Sequence, residues 1–350
     1  MKKPLIVLSG GGTLGSVMPL LAVAETLRSE ADWLWLGSHH GVERAIIESA
    51  GIAYIGISGG KWRRYGDWRN LRDLFLIALG FFQSWYHLAG RHPDLFISAG
   101  SYISLPSAWA AKLCGSRVLL HQLDARPGLA NVLMAPVADK ITVVWSKSLA
   151  DYGRKAVKTG SLVRDFGHPD KLSACHHLQL SPDRPIILVM GGGTGAADIN
   201  SMLAEGWPDL DKCCQVIHIT GRGKQAVDAE SSDYHRYGLM EPPVLAMAYA
   251  ASDVVVSRAG MGSILDLAAW AKPAIIIPLP HSHQIDNATP ILSANAGVVV
   301  EQSALDGKLL VALIKDLVAD ETKCKKLGTN LKRLLASDNG LVDEIKKLLV

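Results

Sequence analysis

The chain has 350 residues, of which 49% are apolar and 20% charged, and its formal net charge is +3. This length suits two globular domains, and the composition excludes a disordered or fibrous chain. The charge is too small to indicate a nucleic-acid partner. The apolar start of the chain is interrupted by Gly10–Gly12 without a small-residue cleavage site, which favours a first strand over a signal peptide.

Apolar β-like runs alternate with helical stretches along most of the chain, a pattern typical of parallel sheets wrapped by helices. The sequence therefore predicts an α/β fold of two Rossmann-like, doubly wound domains over 1–160 and 161–335. A C-terminal helix over 336–350 could pack back on the first domain. The predicted strands are Leu5–Ser9, Trp33–Leu36, Leu95–Ser98, Val118–His121 and Lys140–Val144, then Ile186–Met190, Gln215–Ile219, Val254–Ser257, Ala274–Pro278 and Gly297–Val300.

Two glycine-rich loops, Gly10–Gly15 and Gly191–Gly195, each follow an apolar strand. A strand, a glycine turn and a helix start together aim backbone N–H groups at an anion, usually phosphate. The first loop matches the dinucleotide fingerprint, but the second predicted strand ends Trp35-Leu-Gly-Ser-His39 without the acid that a nicotinamide ribose needs. Neither loop has the Gly-Lys-Ser/Thr of an ATP-hydrolysing P-loop. The sequence therefore predicts phosphate binding in a cleft between two domains, and it disfavours both NAD binding and ATP hydrolysis.

A third glycine turn, Arg258-Ala-Gly-Met-Gly-Ser-Ile-Leu-Asp266, follows the strand Val254–Ser257. Its N–H groups suit a phosphate, and Asp266 could accept hydrogen bonds from both ribose hydroxyls. The alternative is an N-capping Ser263 with a solvated acid. Polar residues from His281 to Asn287 follow the next strand, at the edge where open sheets bind ligands. His281 and His283 have no third ligand nearby in sequence, which favours sugar hydrogen bonding over a metal.

A basic and aromatic stretch interrupts the alternation between Lys61 and Leu88. Its apolar part is shorter than the ~20 residues of a membrane span. One interpretation is a buried helix after a solvated basic turn. The other is a patch on an anionic membrane surface or over a lipid-linked substrate, and both hold if only one face is buried. The patch residues are Lys61, Trp62, Arg63, Arg64, Phe81, Phe82 and Trp85.

An ordered set of motifs spans nearly the whole chain: Gly11-Gly-Thr-x-Gly15, Ile57-Ser-Gly-x-Lys61, Gly100-x-Tyr-x-Ser104-x-Pro106, His121-Gln122, Gly160-x-x-Val-Arg164, Gly191-Gly-x-x-Gly-Ala196, Arg258-x-Gly260 and His283-Gln-x-x-Asn-Ala288. Together they resemble the MurG family of peptidoglycan glycosyltransferases, glycosyltransferase family 28. The resemblance implies the GT-B fold and transfer of GlcNAc from UDP-GlcNAc to undecaprenyl-linked lipid I, giving lipid II with inversion. It also implies a peripheral protein on the cytoplasmic face of the plasma membrane that needs no cofactor, with other cell-wall synthesis proteins as candidate partners.

The resemblance also assigns roles to particular residues. The donor-binding set is Arg164, Gly192, Gly193, Thr194, Gly195, Arg258, Gly260, Met261, Gly262, Ser263, Ile264, Leu265, Asp266, Gln284 and Asn287. The acceptor set is Gly11, Gly12, Thr13, Leu14, Gly15 and Ser16, with the glycine loop taking the acceptor pyrophosphate. Asp124 and His121 are the candidate catalytic bases, although His121 could instead end a buried strand as a structural residue.

The sequence departs from the family pattern mainly on the acceptor side. Leu14 and Ser16 replace the last glycine and the histidine of the first loop. Gln122 replaces the glutamate of the His-Glu-Gln-Asn stretch, and Asp266 replaces a longer glutamate on the donor side. Three alternatives therefore stay open: a glycolipid glycosyltransferase, a UDP-GlcNAc 2-epimerase, and a non-catalytic nucleotide-sugar-binding scaffold.

Overall fold

A computed structural model describes residues 3–12, 14–61, 69–163, 167–191, 196–221, 223–224, 227, 231–336 and 340–350. The chain divides into two compact units. Unit 1 comprises Met1–Arg164 with Ser337–Val350, and unit 2 comprises Asp165–Ala336.

Unit 1 is built on a seven-stranded parallel sheet with the order β3-β2-β1-β4-β5-β6-β7. Its central strands are buried almost throughout, because a parallel sheet is covered by helices on both faces. The strands are β1 Leu5–Ser9, β2 Asp32–Ser38, β3 Ala53–Ile57, β4 Leu95–Ser98, β5 Arg117–Gln122, β6 Lys140–Val143 and β7 Ala156–Lys158.

Helices connect the strands of unit 1, as parallel pairing requires. The helix before β4 is long, and it packs against the helix that follows β4. The helices are α1 Met18–Thr26, α2 Glu43–Ser49, α3 Arg69–Ala89, α4 Ser104–Leu113, α5 Leu129–Met134 and α6 Leu149–Tyr152.

Unit 2 repeats this plan with six parallel strands in the order β10-β9-β8-β11-β12-β13. Buried side chains of β8, β9, β11 and the flanking helices form one apolar core. The strands are β8 Ile186–Met190, β9 Gln215–Ile219, β10 Tyr234–Tyr237, β11 Val254–Ser257, β12 Ala274–Ile276 and β13 Val298–Val299. The helices are α7 Lys171–Leu178, α8 Ala197–Leu210, α9 Pro242–Ala251, α10 Met261–Ala269, α11 Gln284–Ser293, α12 Gly307–Ala319 and α13 Glu321–Leu334.

The last helix, α14 (Gly340–Leu349), belongs to unit 1. Arg117 Nη1 donates to the Leu348 carbonyl at 2.8 Å, and Lys346 Nζ pairs with a Glu30 carboxylate oxygen at 2.9 Å. Ile345 on its inner face is fully buried. The chain thus returns to unit 1 after completing unit 2.

The predicted fold class of two doubly wound parallel sheets is confirmed. The predicted strands all exist, some with ends shifted by one or two residues, but the sequence analysis missed β3, β7 and β10. All three lie at the edge of a sheet, where partial exposure removes the continuous apolar run of a central strand. Of the helices in the described part of the chain, none is both long and apolar enough to cross a bilayer.

Candidate active site

Both sheets reverse their strand order at one point, and the glycine turns lie at those points. In unit 1 the reversal is between β1 and β4, and in unit 2 between β8 and β11. The loop after β1 is the first glycine loop, and the turn after β11 contains Arg258 and Gly260. Ligands of open α/β sheets bind outside the carboxyl ends of the strands at this switch point. Each unit therefore presents one candidate ligand site.

The first glycine loop is held from behind by side chains of unit 1. Trp35 Nε1 donates to the Gly10 carbonyl at 3.1 Å, and Ser101 Oγ donates to the Gly11 carbonyl at 2.9 Å. Gly12 has a φ of +80°, and a Cβ there would lie 2.7 Å from the Tyr102 ring. Glycine is required at Gly12 for both reasons. Leu14–Ser16 form a 3₁₀ turn before α1, in which Ser16 is buried.

A buried carboxylate that the sequence analysis missed lies beneath this loop. Glu43 is fully buried, and its Oε1 accepts from Ser38 N at 3.0 Å and from Ser38 Oγ at 2.6 Å. Its Oε2 accepts from Gly12 N at 3.4 Å. Burial and the Glu43 charge raise the pKa of the Tyr54 phenol, which therefore stays protonated and faces Oε1 at 3.4 Å. The sequence alone gives no sign of this burial, because a glutamate at the start of a helix is ordinarily solvated.

The surroundings of His121 favour the structural alternative over a catalytic base. It is fully buried in β5, with Nδ1 2.8 Å from Thr142 Oγ1 and Nε2 3.0 Å from Ser161 Oγ. Burial lowers the pKa of His121 to about 4, so the ring is neutral and both nitrogens are engaged. His121 ties β5 to β6 and to the segment after β7. These contacts fit the alternative of a structural residue at the end of a buried strand, although the partners are side chains and not the backbone groups that we expected.

Asp124 lies two residues after β5, at the carboxyl edge of the sheet in unit 1. It is half-buried, and its backbone carbonyl accepts from Gln122 Nε2 at 2.7 Å. Of the two predicted bases, it is the one that is not fully buried.

In unit 2, the N-terminal turn of α10 offers backbone donors to a ligand. Gly260 is extended (φ −76°, ψ 140°) and serves as N-cap without a side-chain hydrogen bond, which leaves Ser263 inside the helix and not at its cap. The first helical bond runs from Ile264 N to the Gly260 carbonyl at 3.0 Å. The N–H groups of Met261, Gly262 and Ser263 therefore precede the helical ladder. A Cβ at Gly262 would meet no atom within 4 Å, so this turn is open.

Asp266 lies on α10, one turn beyond those donors, against the fully buried Tyr249. Burial raises the pKa of Asp266 to about 7, while a hydrogen bond with the Tyr249 phenol opposes that shift. Burial also raises the pKa of Tyr249 well above its ordinary value, with the Asp266 charge adding to the effect. Ribose hydroxyls that donate hydrogen bonds to this carboxylate would favour its ionised form.

Arg258, predicted to bind the donor, is engaged within the protein. It is buried, and Nη1 donates to Gln302 Oε1 at 2.7 Å and to the Ile277 carbonyl at 3.3 Å. Nη2 lies 3.3 Å from Asp198 Oδ2 at the start of α8. The guanidinium thus joins the ends of β11 and β12 to α8, the helix that follows the second glycine loop.

Four more predicted donor residues are buried in unit 2, Met261 among them. Asn287 is fully buried and donates from Nδ2 to the Ala259 carbonyl at 3.2 Å, a contact that supports the glycine turn. Ile264 and Leu265 point into the core, and the Ile264 N–H is used inside the helix. Gln284 is only partly buried, with Oε1 accepting from Leu279 N at 3.0 Å, and it remains a candidate for sugar contact.

Helix α3 has one buried and one exposed face. Ser84 and Leu88 are fully buried, with Ser84 Oγ 3.0 Å from Ser107 Oγ on α4. On the other face, Phe82 is 60% and Trp85 45% exposed, whereas Phe81 is half-buried. The exposed face also includes Leu71, Leu74, Phe75, Leu79 and Tyr86. Lys61 places Nζ 5.0 Å from the centre of the Tyr102 ring, beside the first glycine loop.

Several predicted site residues lie outside the described residues. They are Thr13, Trp62, Arg63, Arg64, Arg164, Gly192, Gly193, Thr194 and Gly195. Within the part of the chain that is described, no group of three or more His, Cys, Asp or Glu side chains is arranged to hold a metal ion.

Two doubly wound parallel sheets, each with a glycine turn at its switch point, make up the GT-B fold. The family model described as "Glycosyltransferase family 28 N-terminal domain" matches residues 6–143. The model described as "Glycosyltransferase family 28 C-terminal domain" matches residues 186–339. The chain belongs to glycosyltransferase family 28, which confirms the family predicted from the motifs.

Similar proteins agree with this membership. A protein of Lachnospira eligens named UDP-N-acetylglucosamine–N-acetylmuramyl-(pentapeptide) pyrophosphoryl-undecaprenol N-acetylglucosamine transferase is 35% identical over 91% of this chain and 92% of its own. A Bacillus cereus protein of the same name, numbered 2, is 34% identical over 93% and 94%. The crystal structure of Acinetobacter baumannii MurG has the same fold, with a TM-score of 0.76 and 23% identity over 99% of both chains.

Proposed function

We propose that this protein transfers N-acetylglucosamine from UDP-GlcNAc to the N-acetylmuramyl group of undecaprenyl-linked lipid I, forming lipid II for peptidoglycan. The observation that carries this proposal is the likeness, at about 35% identity over nine-tenths of the chain, to relatives named for this reaction. The domain over 1–160 would bind the acceptor, and the domain over 161–335 would bind the donor.

The donor site follows from the open N-terminal turn of α10. Three backbone N–H groups and the positive end of the helix dipole suit the diphosphate of UDP, whose negative charge grows as the sugar leaves. Asp266 would accept from the ribose hydroxyls, and Gln284 would contact the sugar. Arg164 and Gly192–Gly195 remain part of the proposal on the motif alone. Arg258 and Asn287 would act by supporting this turn.

In the proposed step, an acceptor hydroxyl attacks C1 of the sugar while UDP departs, so the configuration at C1 inverts. The bond from C1 to the UDP oxygen breaks as the new glycosidic bond forms. Asp124 would take the hydroxyl proton as general base. No metal or organic cofactor is required, because backbone donors meet the charge of the leaving group.

The acceptor is lipid-linked, so the protein would work at the cytoplasmic face of the plasma membrane as a peripheral protein. The exposed face of α3, with Phe75, Phe82 and Trp85, supports this location because large apolar side chains rarely cluster on a surface without a partner. Other cell-wall synthesis proteins are potential partners at the same surface.

Incubation with radiolabelled UDP-GlcNAc and a short-chain lipid I analogue tests the proposal against its rivals. We expect label in the lipid product, and weak competition by UDP-GalNAc. Appearance of the 2-epimer of the sugar without acceptor would indicate an epimerase instead. Transfer only to other lipids would indicate another glycolipid glycosyltransferase, and donor binding without any product would indicate a scaffold.

A further inference from the structure

Gln122, which stands where the family pattern has glutamate, is buried next to the proposed base. Its Nε2 donates to the Asp124 carbonyl at 2.7 Å and, more weakly, to the Arg126 carbonyl at 3.4 Å. Both acceptors belong to the segment 123–128 that leads from β5 to α5. One side-chain amide therefore fixes the backbone on either side of Ala125.

The other end of the same amide is also engaged. Gln122 Oε1 accepts from Asn131 Nδ2 at 2.6 Å and from the Tyr152 hydroxyl at 2.9 Å. Burial raises the pKa of Tyr152, so its phenol stays protonated and can donate. Asn131 is on α5 and Tyr152 on α6, so Gln122 connects β5 and two helices to the segment that contains Asp124.

The two backbone carbonyls determine which end of the amide faces the segment. A carbonyl oxygen can only accept, so the side chain that faces two of them must carry N–H groups. An ionised glutamate at this position would put an oxygen against the Asp124 carbonyl and lose both hydrogen bonds. Glutamine therefore fits this position better than an ionised glutamate would.

We propose that Gln122 is a positioning residue that holds the segment 123–128 so that the Asp124 carboxyl meets the acceptor hydroxyl. This inference rests on the proposed function, in which Asp124 is the base. Gln122 is buried and does not itself touch substrate; it acts through the backbone of the residue two positions on.

Gln122→Glu and the milder Tyr152→Phe test this role, with Gln215→Glu as the matched control. Gln215 is also buried and bonded at both ends, to Ser181 N at 2.8 Å and to the Ser181 carbonyl at 2.7 Å, but it lies at the start of β9 in unit 2. We expect Gln122→Glu to lower kcat for the lipid I analogue about tenfold or more, because small misplacements of a catalytic group are costly. Its KM for UDP-GlcNAc should stay within about twofold.

Tyr152→Phe removes one donor to Gln122 but keeps its bonds to the carbonyls, so we expect a smaller loss of kcat. Gln215→Glu should keep the wild-type kcat below its own melting temperature, which we expect to be lower than that of the wild type. Folded Gln122→Glu and Tyr152→Phe variants with the wild-type kcat would overturn the proposal. Equal losses of kcat in Gln122→Glu and Gln215→Glu would also overturn it.

Amide hydrogen exchange gives a readout that is independent of turnover. We expect faster exchange in Gln122→Glu confined to 123–128, and no change there in Gln215→Glu. Unchanged exchange in that segment would overturn the positioning role even if the wild-type enzyme is active. Absence of transfer by the wild-type protein would instead contradict the proposed function, while the exchange result would still decide whether Gln122 orders the segment.

Discussion

The Glu43 carboxylate and the Gly12 backbone are joined by a hydrogen bond in which Oε2 accepts from N–H at 3.4 Å. A buried negative charge thus lies behind the loop to which the acceptor pyrophosphate is assigned. This hydrogen bond is long and therefore weak, so we expect it to help order the loop without using up the binding capacity of the Gly12 N–H group. Lys61, with Nζ beside the Tyr102 ring, supplies a positive charge on the same side of unit 1.

Glu43→Gln should destabilise the protein and weaken acceptor binding. The new NH₂ group would face Ser38 N–H or Gly12 N–H, so a donor would meet a donor in a buried site. We expect the free energy of unfolding to fall by about 1–3 kcal/mol. The KM for the lipid I analogue should rise while the KM for UDP-GlcNAc stays unchanged.

Glu48→Gln is the control for Glu43→Gln. Glu48 is exposed and pairs only at the surface with Arg44, at 2.9 Å, so its loss should change stability by less than about 0.5 kcal/mol. Denaturant unfolding measures both variants. A Glu43→Gln protein as stable as Glu48→Gln would show that the buried carboxylate does not order the loop.

UDP-GlcNAc binding should weaken as the pH falls below about 7. Asp266 has a pKa of about 7 because it is buried, and the protonated carboxyl loses acceptor capacity for the ribose hydroxyls. Titration calorimetry between pH 6 and 8 would follow the affinity for UDP-GlcNAc, whose diphosphate has no terminal phosphate that titrates in this range. Asp266→Asn should bind weakly with no such dependence; the same pH slope in both proteins would rule out Asp266 as its source.

Ionisation of Asp266, which should favour ligand binding, should lower the stability of the fold. The folded-state pKa of Asp266 lies above the ordinary value of about 3.9, so protonation stabilises the fold. This stabilisation is complete below about pH 4 and is lost as the pH rises through 7. At pH 8 we therefore expect Asp266→Asn to be more stable than the wild type, by about 1–3 kcal/mol. Equal melting temperatures of the two proteins at pH 8 would contradict this.

Arg258→Met should unfold more easily, because three polar partners of the guanidinium lose their donor inside unit 2. A loss of about 2–4 kcal/mol is expected. Asp198→Asn should cost far less, since Asp198 is 54% exposed. Thermal melting and UDP affinity would be measured together. If Arg258→Met kept the wild-type melting temperature and lost only UDP affinity, Arg258 would be a donor-binding side chain after all.

Replacing Phe82 and Trp85 together by serine should reduce binding to vesicles of anionic phospholipid about tenfold or more, because each aromatic side chain contributes ~1.5–3 kcal/mol when buried. The melting temperature should not fall, since both side chains are exposed. Leu292→Ser is the control, an apolar residue of similar exposure on α11 in unit 2. Equal losses in both variants would show that α3 is not the membrane face.

The central strands and the glycine turns could be predicted from the sequence because their signals are local. Ile186–Met190 is an unbroken apolar run, and Gly12 and Gly260 are glycines followed by a helix start. The sequence is least informative about residues whose contacts depend on distant parts of the chain. Arg258 and Asn287 look like ligand contacts in sequence, yet each bonds to protein groups brought near by the fold.

Glu43 shows the converse case, in which a functional candidate has no sequence signal. Its burial depends on Gly11 and Gly41, whose missing side chains leave room for the carboxylate: a Cβ on either would lie within 2.3 Å of it. A charged residue at a helix start is ordinarily solvated, so only the packed structure shows that this one is not.

The rate of GlcNAc transfer from UDP-GlcNAc to a lipid I analogue, in wild type and Asp124→Asn, tests the account most directly. We expect product far above the blank without enzyme, and a large fall in kcat with an unchanged KM for UDP-GlcNAc in the variant. No product from a wild-type protein that still binds UDP-GlcNAc would contradict the proposed reaction. Normal turnover by Asp124→Asn would leave the reaction intact and remove Asp124 as its base.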